Sequence, residues 1–426
     1  MNKNEKKATV STKQLLLVSA FAAIIVLPVL VQTGVELDRG RRPQVLDLFV
    51  HVPAESRLRD FEEELEDESW LREKIRPWMQ YTRFMALGEV GKNALRGRHG
   101  WLFYEQGIRY AVEPWPPEQR LSELTSLGGP AAVQKQKEVY QDPVPVIRRF
   151  RDQLEARGIK LLVVIAPDKV SVYPGKFTTR ADRSLLPLDT HTTGLVERIS
   201  QSGMEVLDLT HTLVEARRNT GDTTEYYMHE DTHWTPEGLQ LAAQTVADRV
   251  LELGWAGKGS VEYGLKEVEV SRQGDIVWMS RAPQIQEYYG HEEVTCRQVV
   301  RRDNGALYRD DPHSDILLLG DSFSRIFQTD DPTGAGFIAH LAHQFRKPLT
   351  SVVNNGGGAT LVRQQLSYKP RLLRNKKLVI WEFVERDFRF AAGGWKHVEL
   401  PPPEDYEDRQ PTKPESKKRR RIWELY

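Results

Sequence analysis

Disulfides are ruled out by arithmetic: the chain has one cysteine in 426 residues, so no intramolecular bridge can form. An oxidising compartment is therefore neither required nor excluded. Cys296 lies in the polar stretch Glu-Val-Thr-Cys-Arg-Gln with no paired histidine, and it reads as an ordinary thiol. Net charge is missing too. Lys plus Arg is 60 and Asp plus Glu is 60, which removes any general electrostatic argument for nucleic acid or for a strongly charged partner. What remains, 28% charged and 39% apolar residues, is the make-up of a globular protein. The length suits one large domain with extensions, or two domains.

One uncharged apolar run breaks this ordinary composition, residues 15–31, with Lys3, Lys6, Lys7 and Lys13 ahead of it. As a helix it would cover about 25 Å at ~1.5 Å per residue, a little short of a ~30 Å hydrocarbon core, and Gln32, Thr33 and Gly34 extend it. No small-x-small cleavage pattern follows, so we read an uncleaved transmembrane anchor at residues 14–34 over a cleaved signal peptide. The four lysines favour residues 1–13 inside the cytoplasm and the body outside, although Arg39, Arg41 and Arg42 lie close on the far side.

Residues 35–54 read as a stalk. Over 58–85, Phe61, Leu65, Trp70, Leu71, Ile75 and Trp78 recur at roughly helical spacing among many acids, which predicts an amphipathic helix or helix pair. Gly97–Tyr104 reads as a turn and a strand, and 112–130 as a loop. A βα rhythm follows: helices at 146–157, 192–201, 210–218, 236–253, 335–346 and 359–374, and strands at 160–166, 205–208, 315–319, 350–353 and 377–383. Residues 258–310 look like a less regular insertion with short strands. From about Pro401 the chain is Pro-rich and then basic (Lys417 to Arg421), and we assign 393–426 to a disordered tail. The pattern predicts an α/β fold with a mostly parallel sheet covered by helices on both faces. The ligand site of such a sheet lies at the strands' C-terminal ends.

The apolar strand Asp315–Leu319 stops at Gly320-Asp321-Ser322, ahead of residues able to start a helix. That turn can offer a hydroxyl beside free helix N–H groups, so Ser322 is a candidate nucleophile. It needs a base. In Asp231-Thr232-His233-Trp234-Thr235-Pro236, Thr235 suits an N-cap and Pro236 the first helical position, which leaves His233 on a loop with Asp231 able to orient it. The alternative, an ordinary capped helix with a surface histidine, is even with this one until Ser322 is counted. His229–His233 also matches H-E-x-x-H. A zinc site needs both histidines on one helix, and Pro236 works against that helix, so we expect no metal. Oxyanion donors are sought at the backbone of Ser322 or Phe323 and at Asn354 and Asn355, with Arg325 and Trp234 as further substrate candidates.

Taken in order, Trp101-Leu102-Phe103-Tyr104, Ala166-Pro167-Asp168-Lys169 with Tyr173-Pro174, Asp231-x-His233-Trp234-x-Pro236, Gly274-Asp275-Ile276-Val277, Gly320-Asp321-Ser322-Phe323-Ser324, Asn354-Asn355-Gly356-Gly357 and Trp381-Glu382-Phe383-x-Glu385-Arg386 carry a resemblance. The chain resembles the SGNH-hydrolase-like polysaccharide O-acetyltransferases of the alginate AlgX/AlgJ group over about residues 55–390. The resemblance implies an SGNH-like catalytic domain at 55–392, with Ser322 taking an acetyl group, His233 as general base and Asp231 orienting it, and no cofactor. It also implies a single-pass protein of the bacterial inner membrane with a periplasmic body, an exopolysaccharide acceptor, and a membrane-bound O-acyltransferase as acetyl donor. Some relatives add a carbohydrate-binding module, for which residues 393–426 leave too little chain. A carbohydrate acetyl esterase with the same triad, or a non-catalytic subunit of an export complex, are the other functions that fit these residues.

Overall fold

The computed structural model describes residues 12–46, 70–91, 93–113, 142–181, 191–221 and 223–402. Residues 1–11, the distal stalk at 47–54, the acidic run at 58–69, the loop at 114–130 and the tail from 403 lie outside the described residues. The chain divides into two compact units, one of residues up to Gly88 with Ala282–Gln284, the other of Glu89–Arg281 with Ile285–Tyr426.

In the first unit, α1 (Thr12–Asp38) holds the apolar run and continues past it. From Leu15 to Asp38 it is long and apolar enough to cross a membrane, and its most apolar stretch is not buried against other parts of the chain. A second helix, α2 (Trp70–Leu87), realises the described part of the amphipathic segment. A hydrogen bond links the two helices. The Trp70 N–H donates to Gln32 Oε1 at 2.8 Å, and Gln32 Nε2 donates to Glu36 Oε1 at 2.8 Å.

The second unit runs through β1 (Ala94–Arg96), β2 (Leu102–Tyr104), α3 (Pro143–Glu155), β3 (Lys160–Ala166), α4 (His191–Gln201), β4 (Glu205–Asp208), α5 (Thr210–Thr220), α6 (Pro236–Glu252), β5 (Tyr263–Arg272), β6 (Glu292–Arg301), β7 (Ile316–Gly320), α7 (Ser322–Arg325), α8 (Phe337–Phe345), β8 (Thr350–Val353), α9 (Thr360–Tyr368) and β9 (Leu378–Val384). Five strands pair in parallel in the order β4-β3-β9-β7-β8, so the last of the described strands sits at the centre of the sheet. Successive residues of a strand point to opposite faces. Leu162 and Val164 of β3, with Ile316 and Leu318 of β7, pack with α5, α6 and α8, while Leu161, Val163, Ile165, Leu317 and Leu319 pack with α3, α4 and α9. Each such side chain, fully buried, contributes about 1.5–3 kcal/mol of transfer free energy. Both faces are covered, which is why the strands read as unbroken apolar runs.

Two expectations are corrected. The irregular insertion at 258–310 is built on a ten-residue antiparallel pair, β5 with β6, in register from Tyr263↔Arg301 to Arg272↔Glu292. Much of β5 is exposed, so its residues lack the apolar run that marks the central strands. The tail does not begin at 393. Trp395, Val398 and Leu400 are buried, the Trp395 indole N–H donates to the Asp387 carbonyl at 2.8 Å, and Arg157 Nη2 donates to the Pro401 carbonyl at 2.7 Å. An aromatic cluster of Phe383, Phe388 and Trp395 holds this segment on the body through Pro402.

Candidate active site

Parallel pairing puts the C-terminal ends of β3, β7, β8 and β9 on one edge of the sheet. The residues that follow them there are Pro167-Asp168, Asp321-Ser322, Asn354 and Glu385-Arg386. Asn354 continues the pairing, its N–H donating to the Gly320 carbonyl at 3.0 Å.

The loop that carries His233 is fastened at nearly every polar group, as buried backbone requires. Thr235 caps α6 by accepting from the Gly238 N–H at 3.2 Å, and Pro236 opens that helix. Upstream, the His229 and Glu230 N–H groups donate to the Glu292 carboxylate at 2.8 and 2.6 Å, and the His229 carbonyl accepts from Leu102 N–H and from Lys169 Nζ. Burial lowers the Lys169 ammonium to about 8. The H-E-x-x-H residues are not helical, and their two rings take different partners. His229 pairs with Glu225 at 2.6 Å and stacks on Trp101, while His233 turns to Asp231.

Asp231 is fully buried and saturated. Its Oδ1 accepts from His233 Nδ1 at 2.6 Å and from the His233 N–H at 3.1 Å; its Oδ2 accepts from Arg272 Nη2 and from the Asp275 N–H, each at 3.1 Å. Burial pushes this carboxyl up, but the His233 ring beside it and then Arg272 overcome that and hold it far below the usual carboxylate range. A carboxylate only accepts, so the His233 proton sits on Nδ1 and Nε2 is left as the acceptor. His233 Nε2 is buried and has no hydrogen-bond partner among the described residues. Its ring packs on Phe323 with centroids 4.8 Å apart.

Phe323 directly follows Ser322, the first residue of α7. Asp321 caps this turn, its Oδ1 accepting from the Phe323 N–H at 2.8 Å and its Oδ2 from the Val384 N–H at 3.0 Å. Ser324 Oγ donates to Glu382 Oε2 at 2.6 Å, behind the turn. The Ser322 hydroxyl is partly exposed and makes no hydrogen bond to the described residues, so serine and histidine are neighbours around Phe323 without a direct bond.

Other candidates fare differently. The Phe323 N–H is committed to Asp321 and is not available to an oxyanion; the Ser322 N–H, first of the helix, has no acceptor within it. Asn354 is fixed beside Gly320, whereas Asn355 is exposed at the tip of its turn. Arg325 forms an ion pair with Asp330 at 2.5 Å. Trp234 is fully buried between Phe323 and Phe337, so it packs the core and cannot lie against a polymer.

Sequence reasoning missed Arg272 and gave Asp275 no role beyond its place in the Gly274-Asp275-Ile276-Val277 motif; Arg272 ends β5 and Asp275 follows it. Asp275 Oδ1 accepts from the Thr232 N–H at 2.7 Å and Oδ2 from the Thr232 hydroxyl at 2.6 Å; Oδ2 lies 3.6 Å from His233 Nδ1. Burial, then Asp231, raises its carboxyl to about 6. The available signal was Gly274: a Cβ there would lie 2.2 Å from the Glu230 carbonyl oxygen, so only glycine lets the two backbones meet. Asp231, His233 and Asp275 hold ligand-type atoms within 4.8 Å of one another. Arg272 already supplies the cation there, and Asp231 has no acceptor site left for an ion.

The family model described as SGNH hydrolase-like domain, acetyltransferase AlgX, matches residues 94–385. A protein of Pseudomonas fluorescens named probable alginate O-acetylase AlgJ is 25% identical over 254 residues, 57% of this chain and 60% of that protein. The match thus spans less than two thirds of this relative's length. Its namesake from Pseudomonas aeruginosa is 24% identical over 328 residues, 74% of each chain. In fold, the chain is similar to the O-acetyltransferase domain of Pseudomonas putida AlgJ, with TM-score 0.52 and 20% identity over 70% of this chain and 92% of that one.

Proposed function

Because the chain belongs to the family of SGNH hydrolase-like acetyltransferase domains described for AlgX, we propose that it is an O-acetyltransferase that moves an acetyl group through an acyl-Ser322 intermediate onto hydroxyls of an exopolysaccharide. The supporting observation is the state of His233. Nδ1 is locked on a saturated, charge-holding Asp231, and Nε2 is unpartnered in a ring that packs on Phe323, the residue after Ser322.

In this reading Ser322 Oγ attacks the acetyl carbonyl carbon as its proton passes to His233 Nε2. The imidazolium is stabilised by Asp231, and the oxyanion by the Ser322 N–H and the Asn354 side-chain amide. The tetrahedral intermediate collapses as the donor's leaving group takes the His233 proton, leaving an acetyl ester on Oγ. A sugar hydroxyl then gives its proton to His233 and attacks the ester carbon; the Oγ–acetyl bond breaks as Oγ takes that proton back, which returns Ser322 and releases the acetylated sugar. An acceptor hydroxyl in place of water separates transfer from hydrolysis, and both use one site.

The setting belongs to the same proposal. The anchor is residues 14–34 within α1, the stalk is 35–54, and the catalytic body is the second unit, from Glu89 on to Pro402. The protein is single-pass in the inner membrane with this body in the periplasm, and a membrane-bound O-acyltransferase delivers the acetyl group. The test uses a chromogenic acetyl ester with and without an oligosaccharide acceptor. We expect acetylated sugar and an acetyl adduct on Ser322, with about 10³-fold or greater loss in Ser322→Ala. Acetate release indifferent to acceptor indicates an esterase. Polymer acetylation that survives Ser322→Ala indicates a non-catalytic subunit.

A further inference from the structure

α2 carries a feature that its place in the fold does not use. Ile75, Trp78, Met79 and Met85 recur at i, i+3, i+4 and i+10, which puts them on one stripe of the helix. They are exposed at 42, 62, 59 and 63%. Phe84, on the far side of the helix, is buried. A soluble helix turns such a stripe inward. Here it faces out, and the residues along its borders are basic: Lys74, Arg76 and Arg83. An apolar stripe with basic margins is the pattern of a helix lying in a membrane surface, with Trp at the headgroup level.

The position of α2 gives the occupant. Its first N–H, on Trp70, is bound to Gln32 of α1, the residue after the apolar run 15–31. If α1 spans the bilayer, Gln32 is where it leaves the hydrocarbon, and α2 starts at that same level. Resting on the reading of α1 as an anchor, we propose that α2 lies along an anionic phospholipid surface, with Ile75, Trp78, Met79 and Met85 seated at the boundary of headgroups and acyl chains and the basic margin among the phosphates. A second copy of the chain would match the stripe but gains nothing from the positive border, and it would not explain why α2 begins at the end of the apolar run.

The test uses the full-length chain with Cys296→Ser, reconstituted in nanodiscs of phosphatidylcholine and phosphatidylglycerol, and a polarity-sensitive fluorophore on a single introduced cysteine. Met79→Cys reports on α2 and Ile24→Cys on α1; both sites are exposed, so the fold tolerates the change. We expect the Met79 label to shift to the blue and lose emission when shallow nitroxide lipids are added, with a smaller shift in discs without phosphatidylglycerol. A Met79 label that stays in water overturns the proposal. So does one shielded from water but untouched by nitroxide lipid, because protein then covers the stripe. The Ile24 label, quenched by deep nitroxide lipids, decides separately whether α1 is an anchor.

Discussion

Asp231 and Asp321 are both buried, both accept from backbone N–H groups in a tight turn, and both stand just ahead of a candidate catalytic residue. Their surroundings are opposite. Asp231 faces His233 and Arg272 and is held far below the usual range. Burial lifts Asp321 above it, with only partial relief from the Phe323 and Val384 N–H groups and Arg386. Behind it, burial and Asp321 push Glu382 well up and bring Asp387 to about 8. One half of the site keeps a fixed negative charge beside the His233 ring, where the proposed mechanism forms an imidazolium. The other half is crowded with carboxyls that favour their protons, which weakens the negative field where the proposed mechanism forms an oxyanion. Like residues in like turns thus serve different ends, one electrostatic and one architectural.

Substitution by asparagine should separate them. The largest effect is on Asp231→Asn, which loses the charge and the fixed tautomer; kcat of the folded protein should fall by about 10⁴-fold, beside an unfolding cost for the amide N–H it turns onto donors, read from ester turnover and thermal unfolding together. Asp321→Asn should share the unfolding cost and spare most of kcat. Its new amide must turn an N–H toward the Phe323 or Val384 N–H, at a cost of about 1–3 kcal/mol in unfolding free energy and a smaller change in kcat. Equal kinetic losses in the two variants would break the comparison. The smallest effect sharpens it. Asp275 ionises near about 4 in the unfolded chain and near about 6 in the fold, so the folded state holds the extra proton between those values. Its stabilising share is complete below that window and is lost as pH rises through it. Asp275→Asn should flatten this decline in the unfolding midpoint, measured on both sides of the window.

The central strands, Ser322 and the Asp231–His233 loop were legible because each depends on short stretches: an apolar run, a glycine turn, a Thr-Pro helix start. Arg272 and Asp275 were not, since they reach the loop from a hairpin whose half-exposed strands carry no apolar run. Trp234 misled because one sequence does not say which way an aromatic faces. The loss of the Phe323 N–H to Asp321 was readable in principle, since an N-cap aspartate takes the N–H two residues on. The end of the body was misplaced by three apolar residues, Trp395, Val398 and Leu400, scattered among polar ones.

The place of β9 sets an order of events. Among the described strands it is the last made, yet it lies between β3 and β7 and supplies both the Val384 N–H that fixes Asp321 and the Glu382 carboxyl behind the serine. Until residue 384 has been synthesised, β3–β4 and β7–β8 are two separate pairs and the Ser322 turn lacks its partners. Pairing over such sequence distances is slow. The Ser322 turn is therefore assembled only near the end of synthesis, when β9 closes the sheet.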